Sequence, residues 1–287
     1  MKYAFFPGCV LKGAAAEAHA SMMKVSEALG IELVEIPEWT CCGASHAQGV
    51  SELSMLAINA RNISIAEHMG LPIMTVCNTC TLQLKQAKAK LDEDENLRAQ
   101  VNEILEKSGH PYPYQGTAEV THFLWVLDAH PEVFAGKIKN KLTNVKVAGF
   151  YGCHLIRPQK VLNYEDGRNP ESLEKLIKLL GATPIDFDYK LKCCGFHAFF
   201  TAEHDVLTVT GKIADNAAQA GAQMIVTPCP LCQMQLDMYS PEGREATKSS
   251  VEVPILHLQQ LVGFALGFSK EEMGIGRHVT AADKVTI

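Results

Sequence analysis

Apolar and polar positions along this chain follow a rhythm that is written twice. Tyr3 to Phe6 is a short apolar run stopped by Pro7-Gly8, which predicts a buried strand leading into a loop. Residues 14–29 (AAAEAHASMMKVSEAL) are rich in helix formers and end at Gly30, a fitting C-terminal stop. Ile31 to Ile36 alternates apolar and acidic residues with strand period. Residues 51–69 predict a second helix ending at Gly70, and Leu71 to Val76 a further strand. The order then returns as strand 145–150, helix 171–180 ending at Gly181, helix 205–220 ending at Gly221, and strand 223–227. Strands alternating with helices predict an α/β fold with mainly parallel sheets, whose sites gather at one end of the strands. Residues 81–107 predict a long polar helix peculiar to the first half, and Met22, Met23, Met55 and Met69 fall at helical positions expected in the core.

The repetition extends to particular residues. KYAFFPGC (2–9) matches KVAGFYGC (146–153), PIMTVCNTC (72–80) matches QMIVTPCPLC (223–232), and VTHFLWVL around His122 matches PILHLQQLV around His257. A period of this length, far beyond that of solenoid repeats, predicts a tandem duplication of a small domain. The two copies are expected to be related by an approximate two-fold axis, with their cysteine loops facing one cleft. The Pro/Tyr/Gly-rich stretch 109–117 and the lysine-rich 137–146 place the boundary near 143, giving units 1–143 and 144–287. His122 and His257 open the closing helix of each copy and are expected to be structural caps.

Charge and hydropathy narrow the possible partners. The balance of 26 basic against 32 acidic residues leaves −6, no footprint for nucleic acid. MKYAFFPGCV is too short in apolar residues for a signal peptide, and no run of about 18 apolar residues is present. A cytoplasmic protein is therefore expected, without a transmembrane helix but with peripheral contact at the inner face of the cell membrane left open. The candidate surfaces for such contact are 122–134, with Trp125, and 255–268, with Phe264 and Phe268; the alternative is that both are helices packed on their own domains, since each mixes polar residues at helical spacing and closes one repeat.

Ten cysteines in a reducing compartment point to metal binding or redox chemistry. Their spacings are C-x31-CC-x34-C-x2-C and C-x39-CC-x34-C-x2-C, so two copies of one pattern use all ten. A structural zinc takes four ligands and so does an ordinary cubane cluster, which would leave one thiol over in each copy. Five ligands that include an adjacent pair suit a less symmetrical group. A four-cysteine cluster with a free thiol, or zinc in one copy, remain the alternatives.

The duplicated pattern, with GC at its start and CCG at its centre, resembles the CCG domain of the B-type subunit of heterodisulfide reductase and its relatives over essentially the whole chain. The stretches CCGASH, VCNTCT, THFLWVL, YGCHLIRP, CCGFHA and TPCPLCQMQLD look closest to the subunit found with E-type succinate:quinone oxidoreductases and methylmenaquinol:fumarate reductases. In the methanogen enzyme the first CC is followed by proline, whereas this chain has CCGASHAQ. The resemblance implies two non-cubane [4Fe-4S] clusters, one on Cys9, Cys41, Cys42, Cys77 and Cys80, the other on Cys153, Cys193, Cys194, Cys229 and Cys232. It also implies flavoprotein and iron–sulfur partner subunits in one oxidoreductase complex, and a quinone or a disulfide as substrate; a pure electron-transfer module is the other reading. No GxGxxG, P-loop or flavin motif is present, so hydride chemistry belongs to a partner. His46, His154 and His197 flank cysteine loops and are candidate catalytic proton donors, since imidazole titrates near neutrality and both substrates take up two protons.

Overall fold

The computed structural model describes residues 1–44 and 46–281, apart from the Gln48 side chain; Ser45 of the first CCG loop and 282–287, the end of the second unit, lie outside the described residues. The first copy runs β1 (Lys2–Phe5), α1 (Gly8–Lys12), α2 (Ala16–Leu29), β2 (Glu32–Glu35), α3 (His46–Val50), α4 (Glu52–Met69), β3 (Ile73–Thr75), α5 (Asn78–Glu93), α6 (Glu95–Lys107), β4 (Val120–His122) and α7 (Phe123–Ala129). The second runs β5 (Lys146–Gly149), α8 (Cys153–Ile156), α9 (Gln159–Leu162), α10 (Ser172–Leu179), β6 (Thr183–Ile185), α11 (Glu203–Gln219), β7 (Met224–Thr227), α12 (Pro230–Met238), α13 (Ser240–Thr247), β8 (Ile255–His257) and α14 (Leu258–Ala265).

Each copy folds into a four-stranded, wholly parallel sheet, ordered β2-β1-β3-β4 and β6-β5-β7-β8. Parallel strands need helical crossovers, and the expected helices supply them: α2 stops at Gly30 and α4 at Gly70, both left-handed, and Ser51 caps the start of α4. The chain reverses its direction across the sheet between β1 and β3 in the first copy and between β5 and β7 in the second. An open sheet binds its ligands at such a switch point, beyond the carboxyl ends of the strands.

Several details differ from the expectation. Residues 81–107 do not form one helix, because Asp94 leaves helical geometry and its Oδ1 accepts the Leu97 N–H at 3.0 Å, ending α5 and capping α6. Nor is the arrangement peculiar to the first copy, since α12 and α13 stand in the same place in the second, parted at Tyr239 without a side-chain cap. Met22 and Met55 are fully buried, Met69 is half-buried and Met23 is exposed.

The closing helices carry the largest correction. Trp125 and Phe264 are each 3% exposed and Phe268 is half-buried, so 122–134 and 255–268 present no membrane face. They do not pack on their own copies alone: α7 lies on α10 and α14 on α2, a reciprocal exchange that puts each closing helix on the first long helix of the other copy. Phe123, Leu124 and Leu127 thereby join Leu173, Leu176 and Ile177 in one core, and Leu258, Leu261 and Ala265 join Ala18 and Met22. Among the described residues no helix is long and apolar enough to cross a membrane.

Candidate iron–sulfur centres

Every cysteine lies just beyond a strand. In the first copy Cys9 sits in α1 after β1, Cys41 and Cys42 follow β2, Cys77 caps α5 after β3, and Cys80 lies in the first turn of that helix. In the second, Cys153 opens α8, Cys193 and Cys194 follow β6, Cys229 caps α12 and Cys232 lies in its first turn. The adjacent pairs divide their duties, as neighbours in extended chain must. Cys42 and Cys194 point inward and are buried, whereas Cys41 and Cys193 are exposed.

The sulfurs approach in pairs: Cys9 and Cys41 at 3.7 Å, Cys42 and Cys80 at 3.4 Å, Cys153 and Cys193 at 3.6 Å. A disulfide would bring them to about 2.05 Å. Two sulfurs each about 2.3 Å from one tetrahedral metal stand about 3.8 Å apart, close to what is found. Among the described residues no three Cys, His, Asp or Glu side chains converge on a point fit for a single ion, and the sulfurs instead ring a hollow in pairs. The GC glycines make the approach possible. Gly8 and Gly152 have φ of +72° and +75°, and a Cβ there would stand 3.0 Å from Cys80 Sγ and 2.8 Å from Cys232 Sγ.

Crowding sets the charge. Hydrogen bonds from Cys42 and Cys9 hold the Cys41 thiol down at about 2, while the bond to Cys41 drives Cys42 up to about 12 and Cys9 higher still. Cys193 is likewise held at about 2 by Cys153 and Cys194. Cys80 and Cys232 are pushed well up by neighbouring sulfurs and by burial. Each set thus tolerates a thiolate or two but not five, because buried like charges repel and lack solvation. Cationic metal among the sulfurs removes that penalty, so the donor set fits an iron–sulfur group.

The two sets meet. Cys77 and Cys229 interact across the boundary between the copies, Asn78 Nδ2 donates to the Tyr151 carbonyl at 2.7 Å, and α5 packs against α8. All five cysteines of the first copy line a hollow of about 210 Å³, and the five of the second line one of about 10 Å³. Thr79, Phe196, His197 and Leu231 belong to both walls. Thr79 Oγ1 lies 2.9 Å from His154 Nδ1 and 3.3 Å from His197 Nε2, and the His197 ring is 5.1 Å from that of His154 and 5.6 Å from that of His46. Burial and the neighbouring His154 push His197 down from its ordinary value. The three candidate histidines therefore come together at the wall between the two sites.

Thr79 escaped the sequence reading, although its place inside the first C-x2-C is the signal that could have found it. His122 and His257 do cap α7 and α14: His122 Nδ1 accepts the Leu124 N–H at 3.1 Å, and Gln260 Oε1 accepts the His257 N–H at 2.9 Å. His122 is nevertheless close to the chemistry, since its fully buried ring, pushed down by burial to about 4, feels Cys229 of the other copy.

Comparison with known proteins agrees with this geometry. The model of the cysteine-rich CCG domain family matches residues 3–85 and again 147–237. The chain is 48% identical to the 8-methylmenaquinol:fumarate reductase membrane anchor subunit of Wolinella succinogenes over 99% of both chains. It is 32% identical to the B-type subunit of the ferredoxin/F420H2-dependent CoB-CoM heterodisulfide reductase of Methanosarcina acetivorans, over 96% of this chain and 92% of that one. More distant relatives are named iron–sulfur proteins. A crystal structure of a hypothetical protein from Helicobacter pylori superposes with a TM-score of 0.80 at 17% identity, covering 99% of this chain and 52% of that one, and so shares the fold.

Proposed function

The chain belongs to the CCG cysteine-rich domain family and is an iron–sulfur redox subunit related to fumarate reductase and heterodisulfide reductase subunits, and we propose that it exchanges two electrons with a quinone through two non-cubane [4Fe-4S] clusters. Cys9, Cys41, Cys42, Cys77 and Cys80 hold one, and Cys153, Cys193, Cys194, Cys229 and Cys232 the other. Bound there, the pair supplies one-electron steps at two neighbouring points. The observation that carries this reading is that four residues line both hollows, so that one substrate can face both sets of sulfurs. The quinone is favoured by 48% identity to a menaquinol:fumarate reductase subunit. A disulfide is the second reading, favoured by 32% identity to a heterodisulfide reductase subunit.

The protein's own side chains do the remaining work. Phe196 and Leu231 keep water from the shared wall, and Thr79 joins His154 and His197 into the hydrogen-bonded path by which protons reach or leave the substrate, with the exposed His46 ring against His197. Flavoprotein and iron–sulfur subunits take up the electrons that a quinol gives, or supply those that a quinone or disulfide takes. An apolar substrate from a bilayer passes Val50 and Phe200, 90% and 96% exposed, each of which follows a CCG turn in the chain. These two side chains replace 122–134 and 255–268 as the surface for peripheral membrane contact.

The test uses the protein purified anaerobically with its partners. About eight irons per chain and no zinc are expected, together with turnover of a soluble quinol analogue and liposome binding that Phe200→Ser weakens. Turnover of a small disulfide without quinol activity establishes the second reading; four irons and one zinc overturn the paired clusters.

A further inference from the structure

The segment that carries the first cysteine pair lies along α4 and is gripped by it. Arg61 Nη1 donates to the Glu38 carbonyl at 2.6 Å, and Asn59 Nδ2 donates to the Cys42 carbonyl at 3.0 Å. Between them Asn62 accepts the Thr40 N–H on Oδ1 at 2.8 Å and donates from Nδ2 to the Thr40 carbonyl at 2.9 Å. Every second residue from 38 to 42 thus turns its carbonyl to one helix. This fixes the rotation of the segment about its own axis, and with it which of two adjacent side chains faces inward. Half a turn would exchange Cys41 and Cys42.

Asn59 and Asn62 are both fully buried. Asn62 uses both ends of its amide on Thr40, but Asn59 does not: Nδ2 serves the Cys42 carbonyl and, at 2.9 Å, that of Met55, while Oδ1 has no partner among the described residues. A buried unpaired oxygen costs stability, so what the amide supplies here is the donor and the place it holds. The second copy is built differently. The corresponding stretch of α11, 210–214 (TGKIA), has no amide side chain, and Arg157 Nη2, from the segment after Cys153, holds the Leu191 carbonyl at 2.7 Å instead. One pair is held from a buried helix face, the other from an exposed side chain.

We propose that Asn59 and Asn62 are positioning residues that set the division of the first pair, Cys42 toward Cys80 and Cys41 toward Cys9, and thereby fix how firmly the N-terminal site keeps its iron. The proposal rests on the iron–sulfur reading of the site. The sulfur separations that the grip maintains are 3.4 Å and 3.7 Å. Groups that orient ligands without touching the metal govern its affinity by about tenfold or more, because a ligand free to turn away must be ordered again each time the metal binds.

The decisive variant is Asn59→Leu in the full chain purified anaerobically with its iron. Leucine keeps the branched shape and leaves one buried oxygen unpaired, as asparagine does, so the midpoint of denaturant unfolding is expected to hold. Challenged with an iron chelator, about half of the iron is expected to leave about tenfold faster than in the wild type, and the rest at the wild-type rate. Alkylation read by mass spectrometry is expected to mark Cys42 in step with the fast half and to spare Cys194. Asn62→Ala, which frees Thr40, is expected to act on the same half should leucine distort the fold, whereas Arg157→Ala is expected to leave that half at the wild-type rate. Wild-type release in both asparagine variants overturns the proposal, as does equal acceleration of both halves, which a general loosening of the fold would give. A wild-type chain that holds no iron defeats the reading of the site itself, and the proposal with it, before any variant is made.

Discussion

The N-terminal and C-terminal cysteine sets occupy equivalent places on equivalent sheets, yet one surrounds a hollow of about 210 Å³ and the other a hollow of about 10 Å³. Cys9 and Cys41 are both exposed in the first, while in the second only Cys193 is. The contrast teaches that duplication preserved the ligand positions and relaxed what lies between them. Thr79 faces the histidines where the second loop has Leu231, Asn78 stands where it has Pro230, and His122 lies wholly buried where His257 meets the Glu17 carboxylate. Two sites with one architecture can then differ in potential, access and proton supply.

The largest expected effect tests whether the sets are independent. Cys42→Ser and Cys194→Ser are each expected to remove about half of the iron, because each would take a ligand from one of the two clusters proposed. Iron determination and the low-temperature resonance spectrum measure the loss. Should either variant abolish both signals, the copies form one cooperative site and the comparison fails.

Next in size is the ion pair that distinguishes the second cap. Glu17→Gln leaves His257 and Arg277 without their carboxylate and is expected to lower stability by about 3 kcal/mol, measured by denaturant unfolding. Burial alone would raise the Glu17 carboxyl, but the bonds from His257 and Arg277 outweigh it and hold the group below its ordinary 4.5. Its contribution is therefore full above pH 4.5 and is lost as the pH falls through the lower folded value. The Gln variant is expected to lack that part of the acid dependence.

The shared wall gives a smaller effect. Thr79→Val removes the hydroxyl between His154 and His197 and is expected to slow turnover of the assembled complex by about tenfold or more, with iron content unchanged. Leu231→Val, on the other side of the wall, is expected to leave the rate within about twofold, since it removes no hydrogen-bonding group. Equal losses would show that the wall acts by packing alone. Smallest is Asp94→Ala, which removes the cap of α6 and is expected to cost about 1 kcal/mol while leaving the spectra of both sites untouched.

Sequence spacing carried the cysteine sets and the strand order because ligands and strand ends must recur at fixed intervals for both copies to build a site. It could not carry which surface covers a given apolar face. The unbroken apolar run Phe123 to Leu127 says that the helix is covered all round, as it is, but whether by its own copy, a bilayer or α10 is settled by tertiary packing. Thr79, His154 and His197 come together from positions 75 and 118 residues apart, through contacts between the copies that no local pattern records. The break at Asp94 was legible in principle, as an aspartate three residues before Leu97 is a helix-start signal, but the polar run on either side concealed it.

The reciprocal placement of α7 on α10 and of α14 on α2 has a consequence for how such a chain could arise. A single unfused repeat would expose both the apolar face of its closing helix and the face that receives one. Those faces are complementary under a two-fold rotation, so a second identical polypeptide would satisfy both at once in an isologous dimer. A half-length polypeptide would thus carry a self-complementary surface without needing a linker. The segment that connects the copies packs with them, Lys139 and Asn140 donating their N–H groups to the Ala265 carbonyl and Leu142 entering the core, and the covalent connection turns an association that depends on concentration into one that does not.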